Sequence, residues 1–67
     1  MTIAKIIEMS STSKKSFDDA IAKGVARAHK SLKNVRGAWV QDQKVDVDKG
    51  KIVNYRVTLK ITFILEE

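Results

Sequence analysis

From Val53 to Leu65 the chain alternates between apolar and polar side chains for thirteen residues. Successive side chains of a β-strand point to opposite faces, so this pattern predicts one long strand with an apolar face and a polar face. A second element must cover the apolar face. The apolar positions are Val53, Tyr55, Val57, Leu59, Ile61, Phe63 and Leu65, and the polar positions between them are Asn54, Arg56, Thr58, Lys60 and Thr62.

The segment from Lys14 to Leu32 is the predicted cover for that face. Thr12 or Ser13 is predicted to cap its start, because a side-chain hydroxyl satisfies free backbone N–H groups there. Gly24 lies inside the segment, where glycine costs about 1 kcal/mol relative to alanine, and this predicts a close backbone contact. Apolar residues recur at the helical spacings of three and four at Phe17, Ile21, Val25, Ala28 and Leu32.

Two further strands complete the predicted fold. The isoleucine-rich segment "TIAKIIEM" has apolar residues on both faces, which is typical of a strand covered on both sides. The segment "DVDKGK" is a predicted hairpin turn in which Gly50 takes a positive φ. The predicted order is therefore strand, helix, strand, strand. The fold class is α+β, with one helix on a three-stranded antiparallel sheet.

The hairpin register follows from the turn. If Val47 lies opposite Ile52, then the same register pairs Gln43 with Arg56, Gln41 with Thr58, and Trp39 with Lys60. Ala38 and Val40 then point towards the helix, opposite Ile61 and Leu59. We therefore expect Trp39 on the face away from the helix, beside Gln41, Gln43 and Arg56. A slip of one residue would reverse every face.

The small size of the chain predicts self-association. Its 67 residues form one domain at most, spanning 1–67, and a chain of this length has a marginal core. Small domains are commonly stabilised by disulfides, metals or oligomerisation. Cysteine is absent and His29 is the sole histidine, which excludes disulfides, thiolate sites and multi-histidine sites within one chain. Copies of the same chain are then the expected stabiliser.

The composition limits the classes of possible partner but does not identify one. The formal net charge of +5 permits anionic partners such as nucleotides, phosphates or nucleic acid. No segment approaches the roughly 18 apolar residues of a membrane span, and the amino terminus lacks the shape of a signal peptide. We expect a cytoplasmic protein without a membrane partner. No nucleophile–base pair is recognisable, so an enzyme is not expected.

Two blocks of the sequence resemble the dodecins when they are taken together. One is "STSKKSFDDAIAKGVARAHKSLKNVR", which is similar to the helix region of that family, and the other is "YRVTLKITFILEE", which is similar to its last strand. The resemblance spans nearly the whole chain. It implies a hollow homododecamer in which the first strand lies beside the last. It also implies binding and sequestration of flavins, FMN or riboflavin, between subunits, and in some members of coenzyme A.

The resemblance also assigns roles to individual positions. The flavin-stacking tryptophan of the family corresponds to Gly37, and the glutamine that hydrogen-bonds the flavin ring corresponds to Arg56. Asp42 matches an acidic residue of some members. This chain is thus similar to a dodecin that lacks the usual stacking position. A subgroup without that tryptophan is linked to calcium, and "VRGAWVQDQ" and "YRV" resemble it.

The predicted ligand contacts are Trp39, Arg56 and Gln43, with Gly37 leaving room and Asp42 as a weaker choice. Trp39 shares a strand face with position 37, displaced by roughly 6.5–7 Å, so it can stack a ligand in a shifted site. Alternatively it packs in a subunit interface. Arginine at position 56 suits a phosphate better than a neutral ring.

Three alternatives stay open beside flavin binding. The first is a structural shell without a ligand. The second is a shell that binds calcium between subunits through Asp42 or the terminal Glu66 and Glu67; the "DVDKGK" turn itself lacks the spacing of an EF-hand loop. The third is a nucleic-acid-associated protein that uses a basic helical stripe and Trp39 as a base-stacking platform. The stripe consists of Lys23, Arg27 and Lys30.

Overall fold

The computed structural model describes residues 2–65 and has the predicted β-α-β-β order. The three strands form one antiparallel sheet in the order β1-β3-β2, so the first strand lies beside the last. The predicted α+β fold is confirmed. The elements are β1 (Ile3–Ser13), α1 (Phe17–Ser31), β2 (Val35–Asp48) and β3 (Lys51–Leu65).

The core lies between α1 and one face of the sheet. Val57, Leu59 and Ile61 of the central strand β3 are fully buried there, as the period-two alternation predicts. Ala20 and Ala28 of α1 complete the buried set. Half-buried apolar residues surround them at Ile7, Met9, Phe17, Ile21, Leu32, Val35 and Val40.

The helix starts later than predicted, and its cap is a different serine. Ser16 is the N-cap, since its side chain accepts a hydrogen bond from the Asp19 backbone N–H at 3.0 Å. The prediction of Thr12 or Ser13 is wrong because β1 continues through Ser13, where it still finds a pairing partner in Tyr55 of the long β3 strand.

The central line of α1 that meets the sheet consists of small residues. Ala20, Gly24 and Ala28 are buried at intervals of four residues. A Cβ atom added to Gly24 would lie 2.6 Å from Leu59 Cδ1 and 3.2 Å from Ser11 Cβ. This confirms the close contact predicted for Gly24, because a larger residue would force Leu59 or the helix to shift.

The hairpin register agrees with the prediction at both ends and differs between them. Val47 lies opposite Ile52, and Trp39 lies opposite Lys60. Between these pairs the strands are shifted by one residue, so the predicted pairing of Gln43 with Arg56 is wrong. Gln43 lies opposite Val57, and Asp42 rather than Gln41 lies opposite Thr58.

Two irregularities cause this shift. One lies between Asp46 and Val47, where β3 contains Val53 as an extra residue, and the other lies between Val40 and Asp42, where β2 contains Gln41 as an extra residue. A β-bulge adds a residue to one strand and changes which side chains share a face beyond it. Since the two bulges lie on opposite strands, the second restores the register that the first displaced.

The β2–β3 hairpin forms a long arm that gives the molecule extents of 52 × 19 × 13 Å. Lys49 and Gly50 take positive φ angles of 52° and 76° in the predicted two-residue turn. Near the tip, Val47 and Ile52 are 61% and 52% exposed. The arm therefore presents apolar surface that the chain does not itself cover.

We expect Gly24→Ala to lower the free energy of unfolding by about 1 kcal/mol. Overpacking a core costs typically 1–3 kcal/mol, and the gain in helix propensity offsets about 1 kcal/mol of that. Chemical denaturation at fixed protein concentration measures the change. Combining Gly24→Ala with Leu59→Val removes the atom at 2.6 Å, so the double variant should recover part of the loss.

The matched control is Ala22→Gly, at an exposed position of the same helix. It should cost about 1 kcal/mol through propensity alone and show no coupling to Leu59→Val. A stabilising Gly24→Ala substitution would contradict the steric account.

Ser13 and Asp19 join the end of β1 to the first turn of α1. The buried Ser13 hydroxyl donates to Asp19 Oδ2 at 2.5 Å and accepts from the Lys15 backbone N–H at 2.9 Å. Lys23 Nζ lies 3.2 Å from the same carboxylate oxygen. The Ser13 hydrogen bond first, and Lys23 second, lower the pKa of Asp19 from its ordinary value of 3.8.

We expect Asp19→Asn to destabilise the protein at neutral pH and to matter less in acid. A carboxyl whose folded-state pKa is lowered adds stability above its unfolded pKa, and that stability is lost as the pH falls through the folded pKa. The gap between the wild type and the variant should therefore shrink below about pH 4. Denaturation curves across pH measure it. Asp18→Asn, exposed on the same turn, controls for the helix dipole; a pH-independent gap for Asp19→Asn would refute the account.

Candidate ligand-binding face of the sheet

The face of the sheet away from α1, here called the open face, holds most of the predicted site residues. Val57, Leu59 and Ile61 point to the helix, so the residues between them on β3 point the other way, together with their cross-strand partners. The polar part of this face comprises Glu8, Ser10 and Thr12 of β1, Trp39, Asp42, Lys44 and Asp46 of β2, and Asn54, Arg56, Thr58, Lys60 and Thr62 of β3.

Trp39 is the largest side chain on the open face and is 63% exposed. The Lys60 Nζ atom lies over its ring, 5.2 Å from the centroid, in cation–π geometry. The contact holds the indole against the central strand and leaves most of its surface to the outside. Lys60 itself lies between Trp39 and Glu8 in the sheet, because β3 is the central strand.

Gly37 leaves space beside this tryptophan. It lies opposite Thr62 on the same face, and a Cβ atom added to it would meet nothing within 4 Å among the described residues. A larger side chain would therefore meet no steric obstacle there, and the φ of Gly37 is not in the positive range that favours glycine. The effect of Gly37 is a gap next to an exposed aromatic ring.

Asp42 reaches the open face because of the bulge at Gln41. It lies opposite Thr58, is exposed, and has no side-chain hydrogen bond or ion pair within residues 2–65. Gln43, the next residue along, points to the helix side with Val57. The structure thus brings together four predicted site residues, Trp39, Arg56, Gly37 and Asp42, and separates Gln43 from them.

Arg56 forms an ion pair that the sequence reasoning missed. Its Nε atom donates to Asp46 Oδ2 at 2.8 Å, and Asn54 Nδ2 donates to the same oxygen at 3.3 Å. The hydrogen bond from the Arg56 guanidinium lowers the pKa of Asp46 from its ordinary value of 3.8; burial opposes this, and the Asn54 hydrogen bond makes a smaller contribution to the lowering. Asp46 therefore forms a polar group with Arg56 and Asn54, in addition to lying in β2 before the turn.

Charges of both signs occur on the open face. Among the described residues named above for this face, three are acidic, Glu8, Asp42 and Asp46, and three are basic, Lys44, Arg56 and Lys60. The excess positive charge of the chain lies elsewhere, including the helix stripe, where Lys23 is paired with Asp19. The predicted use of this stripe for nucleic acid stays a prediction.

A shallow recess of about 260 Å³ lies at the opposite end of the hairpin from its tip, and no sequence pattern pointed to it. Asn34 contributes a left-handed backbone there, with φ of 62°, and its carbonyl accepts from the Ile64 N–H at 3.1 Å. Its lining consists of Lys33, Asn34, Phe63, Ile64 and Leu65. Among the described residues, this lining is mainly apolar and contains no carboxylate or histidine.

Within one chain, the described residues contain no group of three or more histidine, cysteine or acidic side chains that could hold a metal ion. Glu66 and Glu67, which the sequence reasoning considered as calcium ligands, lie outside the described residues. No helix in the described part of the chain is both long enough and apolar enough to cross a membrane.

Comparisons with known proteins agree on one family. The sequence profile of the dodecins matches residues 3–66. The calcium dodecin of Mycobacterium tuberculosis is 35% identical over 63 residues, which cover 94% of this chain and 89% of that protein.

Solved structures show the same similarity. A variant of the Thermus thermophilus dodecin has a TM-score of 0.94 at 28% identity, with complete coverage of both chains. The Streptomyces coelicolor dodecin has a TM-score of 0.92 at 27% identity, covering 98% of this chain and 94% of that one. The M. tuberculosis calcium dodecin, described with a novel calcium-binding site, has a TM-score of 0.82 at 37% identity, covering 96% and 91%.

Proposed function

Because the chain belongs to the dodecin family, we propose that its copies assemble into a closed shell, a dodecamer by family resemblance, and bind small ligands between subunits. The open face is the proposed ligand wall. The proposed role is sequestration of the ligand rather than its chemical conversion.

Uncovered apolar surface supports the assembly. The buried apolar core consists of Ala20, Ala28, Val57, Leu59 and Ile61, which is little for a folded chain. Large apolar residues remain exposed on both sheet faces and at the hairpin tip, including Ile6 on the open face at 57%. Association of identical copies can bury such surface, because a self-complementary patch on one chain contacts the same patch on its partner.

The exposed Trp39 ring beside the gap at Gly37 is the observation that supports an aromatic ligand. A flat ring stacked on the indole and extending over Gly37 would bury both surfaces without a change in the backbone. The family resemblance makes riboflavin and FMN the first candidates, and coenzyme A, through its adenine ring, the next. Stacking on Trp39 would displace the ring along β2 from the position usual in flavin-binding members.

We expect the assembled protein to quench the fluorescence of added riboflavin, and Trp39→Ala to weaken this binding by about tenfold or more. Stacking on an aromatic side chain contributes about 1–3 kcal/mol, and 1.4 kcal/mol corresponds to a factor of ten. Trp39→Phe keeps a smaller aromatic ring, so its riboflavin affinity should lie between those of the wild type and Trp39→Ala. Titration of flavin with protein, followed by flavin emission, gives the dissociation constants.

The matched control for this experiment is Val47→Ala, which removes exposed surface at the hairpin tip without changing Trp39. Sedimentation must show an assembly far above the 7.5 kDa of one chain for the wild type and for each variant. Flavin emission as strong as that of free flavin at excess assembled protein would contradict the stacking proposal. Equal riboflavin affinities of the wild type and Trp39→Ala would contradict it as well.

Calcium is the second candidate, and two observations favour it. The calcium dodecin of M. tuberculosis is 35% identical to this chain in the sequence comparison and 37% identical in the comparison with its solved structure. Asp42 presents an unpaired carboxylate to the open face within the described residues, and Ca²⁺ takes six to eight oxygen ligands. One chain offers too few of these ligands together, so the proposed ion would lie where Asp42 residues from neighbouring copies approach each other.

We expect Asp42→Asn to weaken Ca²⁺ binding by at least about tenfold, because neutralising one ligand removes charge from every symmetry-related position of the site. Tb³⁺ in place of Ca²⁺ gives a direct readout, since excitation of the single tryptophan, Trp39, would sensitise a nearby ion. Excess Ca²⁺ should reverse the Tb³⁺ emission.

Asp48→Asn, near the turn of the same hairpin, is the control for a general loss of negative charge. Tb³⁺ emission that survives in Asp42→Asn but disappears in Asp48→Asn would move the ion to the hairpin tip. It would thereby remove Asp42 as a calcium ligand.

A further inference from the structure

The net positive charge of the chain is concentrated in one segment, the helix α1 and the residues that flank it. Residues 14–36 contain seven lysine and arginine residues and two aspartates, whereas the rest of the chain contains six basic and six acidic residues. The whole formal charge of +5 therefore lies in this segment, and the remainder of the chain is balanced. An anionic partner is attracted to the helix side of the molecule more than to the open face.

Three of these cations form the basic stripe along α1. Helical residues three and four positions apart share a face, so Lys23, Arg27 and Lys30 follow one another along about 10 Å of the helix axis. All three are exposed, and they lie to one side of the buried line of small residues that meets the sheet. Lys33 follows directly after the helix and is exposed as well.

Most of the charge of the stripe is open to a partner. Lys23 Nζ lies 3.2 Å from Asp19 Oδ2, yet the Lys23 side chain keeps 60% of its surface exposed. Arg27 and Lys30 form no ion pair with any residue in the range 2–65. The stripe therefore presents two cations that no carboxylate of the described chain neutralises.

The exposed surface of α1 suits a charged partner rather than an apolar one. The large apolar residues that remain exposed in residues 2–65 all lie on strands, where association of copies can bury them. Trp39 lies on the open face, so the Trp39 of the same chain cannot stack bases of a strand bound along α1. The exposed residues of α1 are Asp18, Ala22, Lys23, Ala26, Arg27, His29, Lys30 and Ser31.

We propose that the basic stripe binds the phosphate backbone of duplex nucleic acid without reading its sequence. B-DNA carries one negative charge per about 1.7 Å of its axis, so a row of cations about 10 Å long meets several phosphates. Single strands are held largely by stacking on aromatic side chains, which the stripe lacks. Each copy in an assembly repeats the stripe, and linked sites bind more tightly than one. This inference is independent of the ligand proposed for the open face.

The test measures binding of the assembled protein to a short fluorescently labelled DNA duplex by anisotropy at several salt concentrations. We expect the affinity to fall steeply with salt and to agree within about twofold for a second duplex of unrelated sequence. A single strand of the same length should bind more weakly. Arg27→Gln combined with Lys30→Gln should weaken duplex binding by about tenfold or more and make the salt dependence shallower.

The matched control is Lys49→Gln combined with Lys51→Gln, which removes the same charge at the hairpin turn and should cost far less affinity. Ala26→Glu is a second variant that removes no cation. It places a carboxylate four residues before Lys30, a spacing that favours the helix, and it should also weaken duplex binding. Sedimentation checks that each variant assembles as the wild type does.

Four results would overturn the inference. They are absence of duplex binding at low salt, equal losses in the stripe and hairpin double variants, tighter binding of the single strand than of the duplex, and stripe-dependent binding to vesicles of phosphatidylcholine and phosphatidylserine without binding to the duplex. The last result would assign the stripe to an anionic membrane surface.

Discussion

A single helix can cover one face of a three-stranded sheet, and this limit governs the rest of the molecule. The contact is as close as side chains permit, because Gly24 brings the α1 backbone down onto Leu59 and Ser11. All of the fully buried large side chains come from β3 and point to that one interface. The second face is left with Trp39, Ile6 and six charged groups that no other element of the described chain covers.

Much of the fold could be predicted because its signals are local. The alternation of β3 shows in thirteen successive residues, and Gly24 stands out as the wrong residue for a helix interior unless something lies against it. The cap was misassigned because Ser13 and Ser16 satisfy the same local rule. The choice between them depends on how far β1 pairs with β3, which is a long-range property.

The site residues were harder to predict, because two β-bulges determine which side chains lie on the open face. The "VQDQK" segment has polar residues at four of its five positions. A shift of its pairing with β3 by one residue therefore conflicts with no hydrophobic pattern and is not visible in the sequence. The register shift exchanges Gln41 for Asp42 beside Trp39 and removes Gln43 from the face. On the open face, the carboxylate of Asp42 thus takes the place of the two predicted amide side chains, Gln41 and Gln43, and this changes the groups available to a ligand.

Asp42 is also where the two proposed ligands conflict. A carboxylate beside Trp39 suits the hydroxyl groups of a polyol linker, but it opposes a phosphate unless the phosphate lies far enough away. Arg56 lies two residues along β3 from Thr58, the partner of Asp42, which is about 6.5–7 Å, and it supplies the opposite charge. A calcium ion held by Asp42 would instead occupy the middle of the face and block the path between Trp39 and Arg56. The same assembled face should therefore bind the two in competition, because Asp42 of β2 lies between Trp39 and Arg56 along the face, and calcium would act as an antagonist of a phosphate-bearing aromatic ligand.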